Sequence, residues 1–197
     1  MMQVVRALAL ITVLSWVAVG QQPSSTPHKF SPAAQRFQNE LNAIESNAHA
    51  NPVRRRSVQI NAADVNAWFR EGGYKLPKGV QKVTFHSHPD TIVADTTADF
   101  DQLKEGKSNL NPLLSMFSGV HDVEVTADAS ADQGQGKVNV QSVSIDGVDV
   151  PRLALGLFVK KYLTPKYPNL GLDNTFAMPD RIDSATVGND AAILTQK

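Results

Sequence analysis

Between Ile92 and Phe100 the chain alternates without a slip. Ile92, Ala94, Thr96, Ala98 and Phe100 fall on one face, and Val93, Asp95, Thr97 and Asp99 on the other. Successive side chains of a strand point to opposite sides, so this run predicts a sheet that is packed on one face and wet on the other, which is the habit of antiparallel sheets. Gln81 to His86 forms the other arm of a hairpin across a His-Pro-Asp turn. A second hairpin runs from Val120 to Ala131 and from Lys137 to Asp146, around Asp132-Gln133-Gly134-Gln135-Gly136. In its return arm the apolar phase slips by one, from Val138 and Val140 to Val143 and Ile145, which predicts a bulge or a bend. Ile182 to Val187 and Ala191 to Thr195, around Gly188-Asn189-Asp190, read as a last hairpin.

Helical periods fall between these hairpins. Ser31-Pro32 reads as an N-cap with proline at the first helical position, and Phe37, Leu41, Ile44 and Ala48 then recur at helical spacing until Asn51-Pro52. After a short strand, Val58 to Ile60, Asn61 caps a second helix, Ala62 to Arg70, which carries Val65, Trp68 and Phe69. Asn109 to Ser118 reads as a compact apolar helix stopped by Gly119. Pro151 opens the most hydrophobic helix, running to about Leu163. Leu153, Leu155, Leu157, Phe158, Val159 and Tyr162 cover more than half of its circumference, so it should be surrounded by protein or ligand. Hairpins with helices between them make the fold class α+β.

The N-terminus looks like an export signal. Arg6 precedes an apolar stretch from Ala7 to Gly20, and Ala18 and Gly20 stand at −3 and −1 for a cut before Gln21. The rival reading of that stretch is an uncleaved N-terminal anchor. The expected organisation is a signal peptide over residues 1–20, a Pro/Ser-rich lead-in over 21–30, an amphipathic helix over 31–52 and an α+β domain over 53–197. Localisation is thus expected to be periplasmic or extracellular. Cysteine is absent, which excludes disulfides, thiolate metal sites and a cysteine nucleophile. The 19 basic and 19 acidic residues cancel, so no one-signed field steers nucleic acid. With 42% apolar and 19% charged residues, the chain can bury a core of ordinary size.

Catalytic signatures are sparse. Gly-x-Ser-x-Gly, phosphate-loop and dinucleotide motifs are missing, so no enzyme activity and no cofactor are expected. His121 and Asp122 are neighbours on a strand and point to opposite faces, so they form no dyad. Asp95, Asp99 and Asp101 read as a solvated face, and Arg54-Arg55-Arg56 as a charged start to an edge strand. The sharpest cluster is His86-Ser87-His88-Pro89 with Thr96 and Asp99. It resembles the signature of JAMM/MPN+ zinc isopeptidases. That resemblance implies His86, His88 and Asp99 as zinc ligands, with Thr96 where the family has a helix-capping serine. Here Thr96 lies in an alternating strand, and the candidate bases Glu40, Glu45 and Glu71 lie on helices. The default expectation is therefore no metal.

What remains is apolar surface: Trp68, Phe69, Leu113, Leu114, Phe117, Leu153, Leu157, Phe158 and Tyr162, all on predicted helices. Each is either ordinary core or the lining of a site for an acyl chain or other apolar ligand. The order of segments from 58 to 197 resembles the LmeA-type and wider TULIP families of exported bacterial lipid-binding proteins. It is carried by Ile60-Asn61-Ala62-Ala63-Asp64-Val65-Asn66-Ala67-Trp68, Leu76-Pro77-Lys78-Gly79-Val80, Asp99-Phe100-Asp101, Asp146-Gly147-Val148-Asp149-Val150-Pro151 and Phe176-Ala177-Met178-Pro179. The resemblance implies a strongly curved antiparallel sheet, a half-barrel wrapped around a long hydrophobic helix. It also implies a phospholipid or similar molecule in the groove between them and transient contact with a membrane surface. Lys160, Lys161 and the arginine run would meet an anionic headgroup. A non-enzymatic envelope scaffold, binding protein partners at an exposed sheet edge, is the remaining alternative.

Overall fold

A computed structural model describes residues 30–105, 115–168 and 171–197. The export segment, the lead-in as far as residue 29, Leu113 and Leu114, and most of the helix expected over 109–118 lie outside these residues. The described chain is α+β: one antiparallel sheet of nine strands with four helices.

Helix α1 (Pro32–Ala48) begins as its sequence dictates, with Pro32 in the first turn and the Ser31 hydroxyl accepting from the Ala34 N–H at 3.3 Å. Strand β1 (Arg56–Asn61) runs directly into α2 (Ala62–Arg70). Asn61 occupies the N-cap position without a side-chain cap bond; its amide oxygen instead accepts from Gln59 Nε2 at 3.0 Å. The two helices are fastened by Arg36, whose guanidinium donates to both oxygens of the buried Asp64 at 2.6 and 3.0 Å. Trp68 packs edge-on against Phe37 and Phe69. Gly73 is required there, because a Cβ on it would sit 2.2 Å from the Trp68 ring.

Strands β2 (Val80–His88) and β3 (Thr91–Asp99) form the first hairpin, and α3 (Phe100–Leu103) follows at once, capped by Asp99 Oδ1 accepting from the Gln102 N–H. Strand β4 (Val120–Asp132) is the spine of the sheet. Its residues Val120 to Asp128 pair with β3, and β5 (Gln135–Ile145) runs along its other edge. The expected phase slip is a bulge: Thr126 pairs with Ser142 and Ala127 with Val140, leaving Gln141 unmatched. Val138, Val140, Val143 and Ile145 are all buried as a result. Beyond β3, β4 meets β8 (Ile182–Gly188) at Ala131 and Ala185, and β9 (Ala191–Gln196) and β1 complete that side.

The tip of the first hairpin therefore abuts the last hairpin. Ser87 Oγ donates to the Gly188 carbonyl at 2.8 Å, and the Asp190 and Asp90 N–H groups donate to Ser87 and Val187. The outer edge of β5 is taken by two short strands missed by the sequence pattern, β6 (Val148–Asp149) and β7 (Asp173–Ala177). Helix α4 (Arg152–Phe158) and a π turn (Val159–Leu163) lie between them in sequence.

Two expectations need correction. The sheet is neither closed nor strongly curled, so there is no half-barrel. Two edges have other work. Beside β5 lie β6 and β7, while the Asn66 amide of α2 both donates to and accepts from Phe85 of β2 at 2.8 Å, imitating a neighbouring strand. The long hydrophobic helix is also absent: seven residues of α-helix give way to the five-residue π turn, closed by Thr164 N–H to the Val159 carbonyl. Pro165, which has no N–H to offer, prevents continuation.

Asn66→Ala removes two hydrogen bonds that terminate an edge strand. It is expected to cost about 2 kcal/mol by urea unfolding with an unchanged m-value, and to raise light scattering as the β2 edge is freed.

Candidate functional site

The apolar residues expected to line a groove separate into two aromatic knots and one open face. Trp68 and Phe69 point inward from α2, 2% and 9% exposed, against Phe37, Tyr74 and Phe85. At the other end of the core, Phe117 stacks on Phe158 with ring centroids 4.3 Å apart. Phe100 meets both rings edge-on, and Phe158 contacts Tyr162. All of these residues belong to one core cluster. The expected surround of the helix after Pro151 is not found. Leu153 is 69% exposed and Leu157 half-buried, while Ala154 and Phe158 on the opposite side are covered. Val148 in β6, 63% exposed, adds to this open apolar face. Arg152 ties the start of α4 to the sheet edge through the Val140 carbonyl and both oxygens of Asp173.

Two polar atoms are buried without a hydrogen-bond partner among the described residues: Tyr162 Oη and Asp180 Oδ2. Burial raises the Asp180 carboxyl pKa. Tyr162 Oη belongs to the ring that packs on Phe158 in the aromatic knot.

The histidine cluster does not assemble. His86 and His88 are exposed on the outer sheet face, where His86 Nε2 lies 3.7 Å from Asp95. His86 pairs with Val93, six residues from Asp99, which puts Asp99 about 20 Å farther along the hairpin. Asp99 is engaged as the α3 cap, and Thr96 Oγ1 donates to the Lys82 carbonyl. No group of three His, Asp or Glu that could hold a metal exists among the described residues.

On the same outer face, Lys82, Asp95, Thr97, Asp122, Glu124 and Ser144 line an open depression of about 360 Å³. Asp95 and Glu124 face each other directly across the β3–β4 ladder. This surface is polar and wet, and offers an acyl chain no shelter from water.

A pairing that the sequence reading missed joins His121 to Asp146. Nδ1 lies 2.5 Å from Asp146 Oδ2, and Nε2 lies 2.7 Å from the Ser118 carbonyl oxygen. Both partners are acceptors, an arrangement matched by the protonated ring, which donates from both nitrogens. The Asp146 hydrogen bond, then the Ser118 carbonyl, raise its pKa above 6.5. The His121 hydrogen bond, then the Asp122 N–H, lower that of Asp146 below 3.8. A ring with both nitrogens engaged has no lone pair for base catalysis, so its role is to fasten the Phe117 segment to the β5–β6 turn. The signal was present in the hairpin: arms predicted to end at Val120 and Asp146 must bring those ends together.

This fastening depends on pH. The raised histidine pKa means its contribution is complete below about 6.5 and is lost as pH rises through the folded-state value. The lowered aspartate pKa means the acid limit lies below 3.8. Thermal unfolding of wild type against His121→Gln is expected to show its largest difference between those limits and a shrinking one as pH rises through the folded-state value of the histidine. A difference independent of pH would contradict the imidazolium assignment.

No helix among the described residues is long and apolar enough to cross a membrane. Compared with family models, curated proteins and solved structures, the chain finds no match.

Proposed function

We propose that this chain is a non-catalytic exported protein that binds an acyl-chain molecule along the open side of α4. The observation that carries this reading is the exposure of two large apolar side chains, Leu153 of α4 and Val148 of β6, while Leu157, one turn after Leu153, stays half-buried against the core. Each methylene laid against such a face and withdrawn from water contributes about 0.8 kcal/mol. The sequence resemblance of residues 58–197 to LmeA-type proteins points to the same ligand class. No metal or cofactor takes part.

The test is native mass spectrometry of the mature protein from the exported fraction, followed by organic extraction. An adduct of lipid mass, diminished in Leu153→Asp, is the expected result; a bare chain overturns the reading. The closed packing of Phe117 on Phe158 favours a second reading, an envelope scaffold. That reading expects the bare chain, together with a protein partner captured by cross-linking.

A further inference from the structure

We infer that the free edge of β1 pairs with β1 of a second copy of this chain, antiparallel and two-fold symmetric about Gln59. The inference goes beyond the acyl-chain and scaffold readings, neither of which assigns this strand or a second copy. Hydrogen-bond parity is its starting point. The Ala62 N–H donates to the Asp190 carbonyl at 2.8 Å, and these two residues continue the register of β1 on β9. In an antiparallel ladder alternate residues turn their N–H and C=O groups to the same neighbour. Arg56, Val58 and Ile60 therefore bond β9, while the backbone groups of Ser57 and Gln59 and the Asn61 N–H point away from the sheet. All three residues are exposed, and no described residue supplies partners for these groups. Such an edge is a template for another strand. The β2 edge offers less, because Asn66 engages Phe85 and the Asp190 N–H takes the Ser87 carbonyl.

Charge complementarity selects a second copy as the occupant. Arg54 and Arg55 stand exposed before β1 with no carboxylate partner among the described residues, while Arg56 pairs with Glu40. By the far end of β1 lies the turn between β8 and β9, where the exposed Asp190 carboxylate is likewise unengaged among the described residues. The edge thus has cations at its start and an anion by its end. An antiparallel copy brings start to end twice, whereas a parallel one would set the arginines side by side. With Gln59 opposite Gln59, the two backbones exchange a pair of hydrogen bonds, and each Asn61 N–H meets the partner's Ser57 carbonyl. Arg55 then lies two strand spacings, about 10 Å, from the partner's Asp190, a gap that the two side chains close. The outer edge of β7 is the rival. Asp173, Thr175 and Ala177 are exposed and turned away from β5, but the strand's one charge, Asp173, is already held by Arg152.

Sedimentation velocity of the mature protein over a concentration series tests the pairing. A reversible dimer is expected. Arg55→Gln and Asp190→Asn should each weaken it about tenfold, since every lost pair occurs twice, and the double variant should be little weaker than either. Gln59→Pro should be monomeric. The N–H it lacks is one that β9 does not use, so its circular dichroism and melting temperature should match wild type. Should the proline variant unfold, Gln59→Cys gives the same reading. The chain has no cysteine of its own, and hydrogen-bonded neighbours about 5.5 Å apart suit a disulfide. Air oxidation should therefore yield a covalent dimer from Gln59→Cys and none from Thr175→Cys. A monomer at every concentration overturns the inference. So does a dimer that ignores Gln59→Pro and the charge variants but is lost in Thr175→Pro. None of these outcomes depends on extractable lipid, so the acyl-chain reading stands or falls separately.

Discussion

Phe158→Ala is expected to lower stability by about 4 kcal/mol, whereas Leu153→Ala, about 1.4 turns away on the same helix, should change it by no more than about 0.5 kcal/mol. Phe158 is 3% exposed within the core and meets three rings: Phe117 stacked, Phe100 edge-on and Tyr162 tilted. Removing its ring leaves a cavity walled by other rings, which cannot relax inward without losing their own edge and stacking contacts. Leu153 has no such surroundings. Urea unfolding of the two variants reads the difference directly. The comparison also bears on function, because a ring that lined a pre-existing ligand space would be cheap to remove. A Phe158→Ala cost below about 1 kcal/mol would show that the knot is not core.

Gln196→Leu is expected to cost about 3 kcal/mol, although it lies next to the chain end. The side chain is 1% exposed and its amide is fully engaged. Nε2 donates to the Ile44 carbonyl at 2.9 Å and the Asp180 carbonyl at 2.7 Å, while Oε1 accepts from Asn47 Nδ2 at 3.0 Å. One amide thus holds the end of α1, the turn before β8 and the last strand together. Leucine fills much the same volume but removes one acceptor from Asn47 Nδ2 and one donor each from the Ile44 and Asp180 carbonyls, the first of which keeps its helix bond. Urea unfolding would register the cost, and amide exchange in the last turn of α1 should accelerate with it. A loss under about 1 kcal/mol would mean that water replaces the amide at no penalty.

These two positions mark how far the sequence could be read. Phe158 was visible as an apolar residue on a helix, but whether it lined a groove or filled a core was not. Gln196 gave no signal, because a glutamine at the end of a strand is ordinarily solvated. The alternation from Ile92 to Phe100, the hairpin turns, the Ser31-Pro32 start of α1 and the bulge near Gln141 were all legible, because each follows from local periodicity or dihedral preference. Strands β6 and β7 were not. Two and five residues are too short for a period, and their pairing with β5 is a tertiary event.

The proposed site divides in the same way. Leu153, Leu157, Phe158 and Tyr162 were named from sequence as one apolar set, and the fold separates them into surface and core. His121 and Asp146 were both seen and not joined. They are 25 residues apart, and only the hairpin register brings imidazole and carboxylate into contact.

By itself, then, the sequence determined the fold class, the antiparallel hairpins and the apolar faces of the strands and of α1 and α2, since these are set by the steric periods of strand and helix. The tertiary structure decided which apolar faces are covered, that the sheet stays open, and that the histidines remain apart. Those outcomes depend on which edges and carbonyls find partners across the chain. Asn66 on β2, Gln196 beneath α1 and Pro165 after the π turn settle them through hydrogen bonds given or withheld at a distance no local pattern encodes.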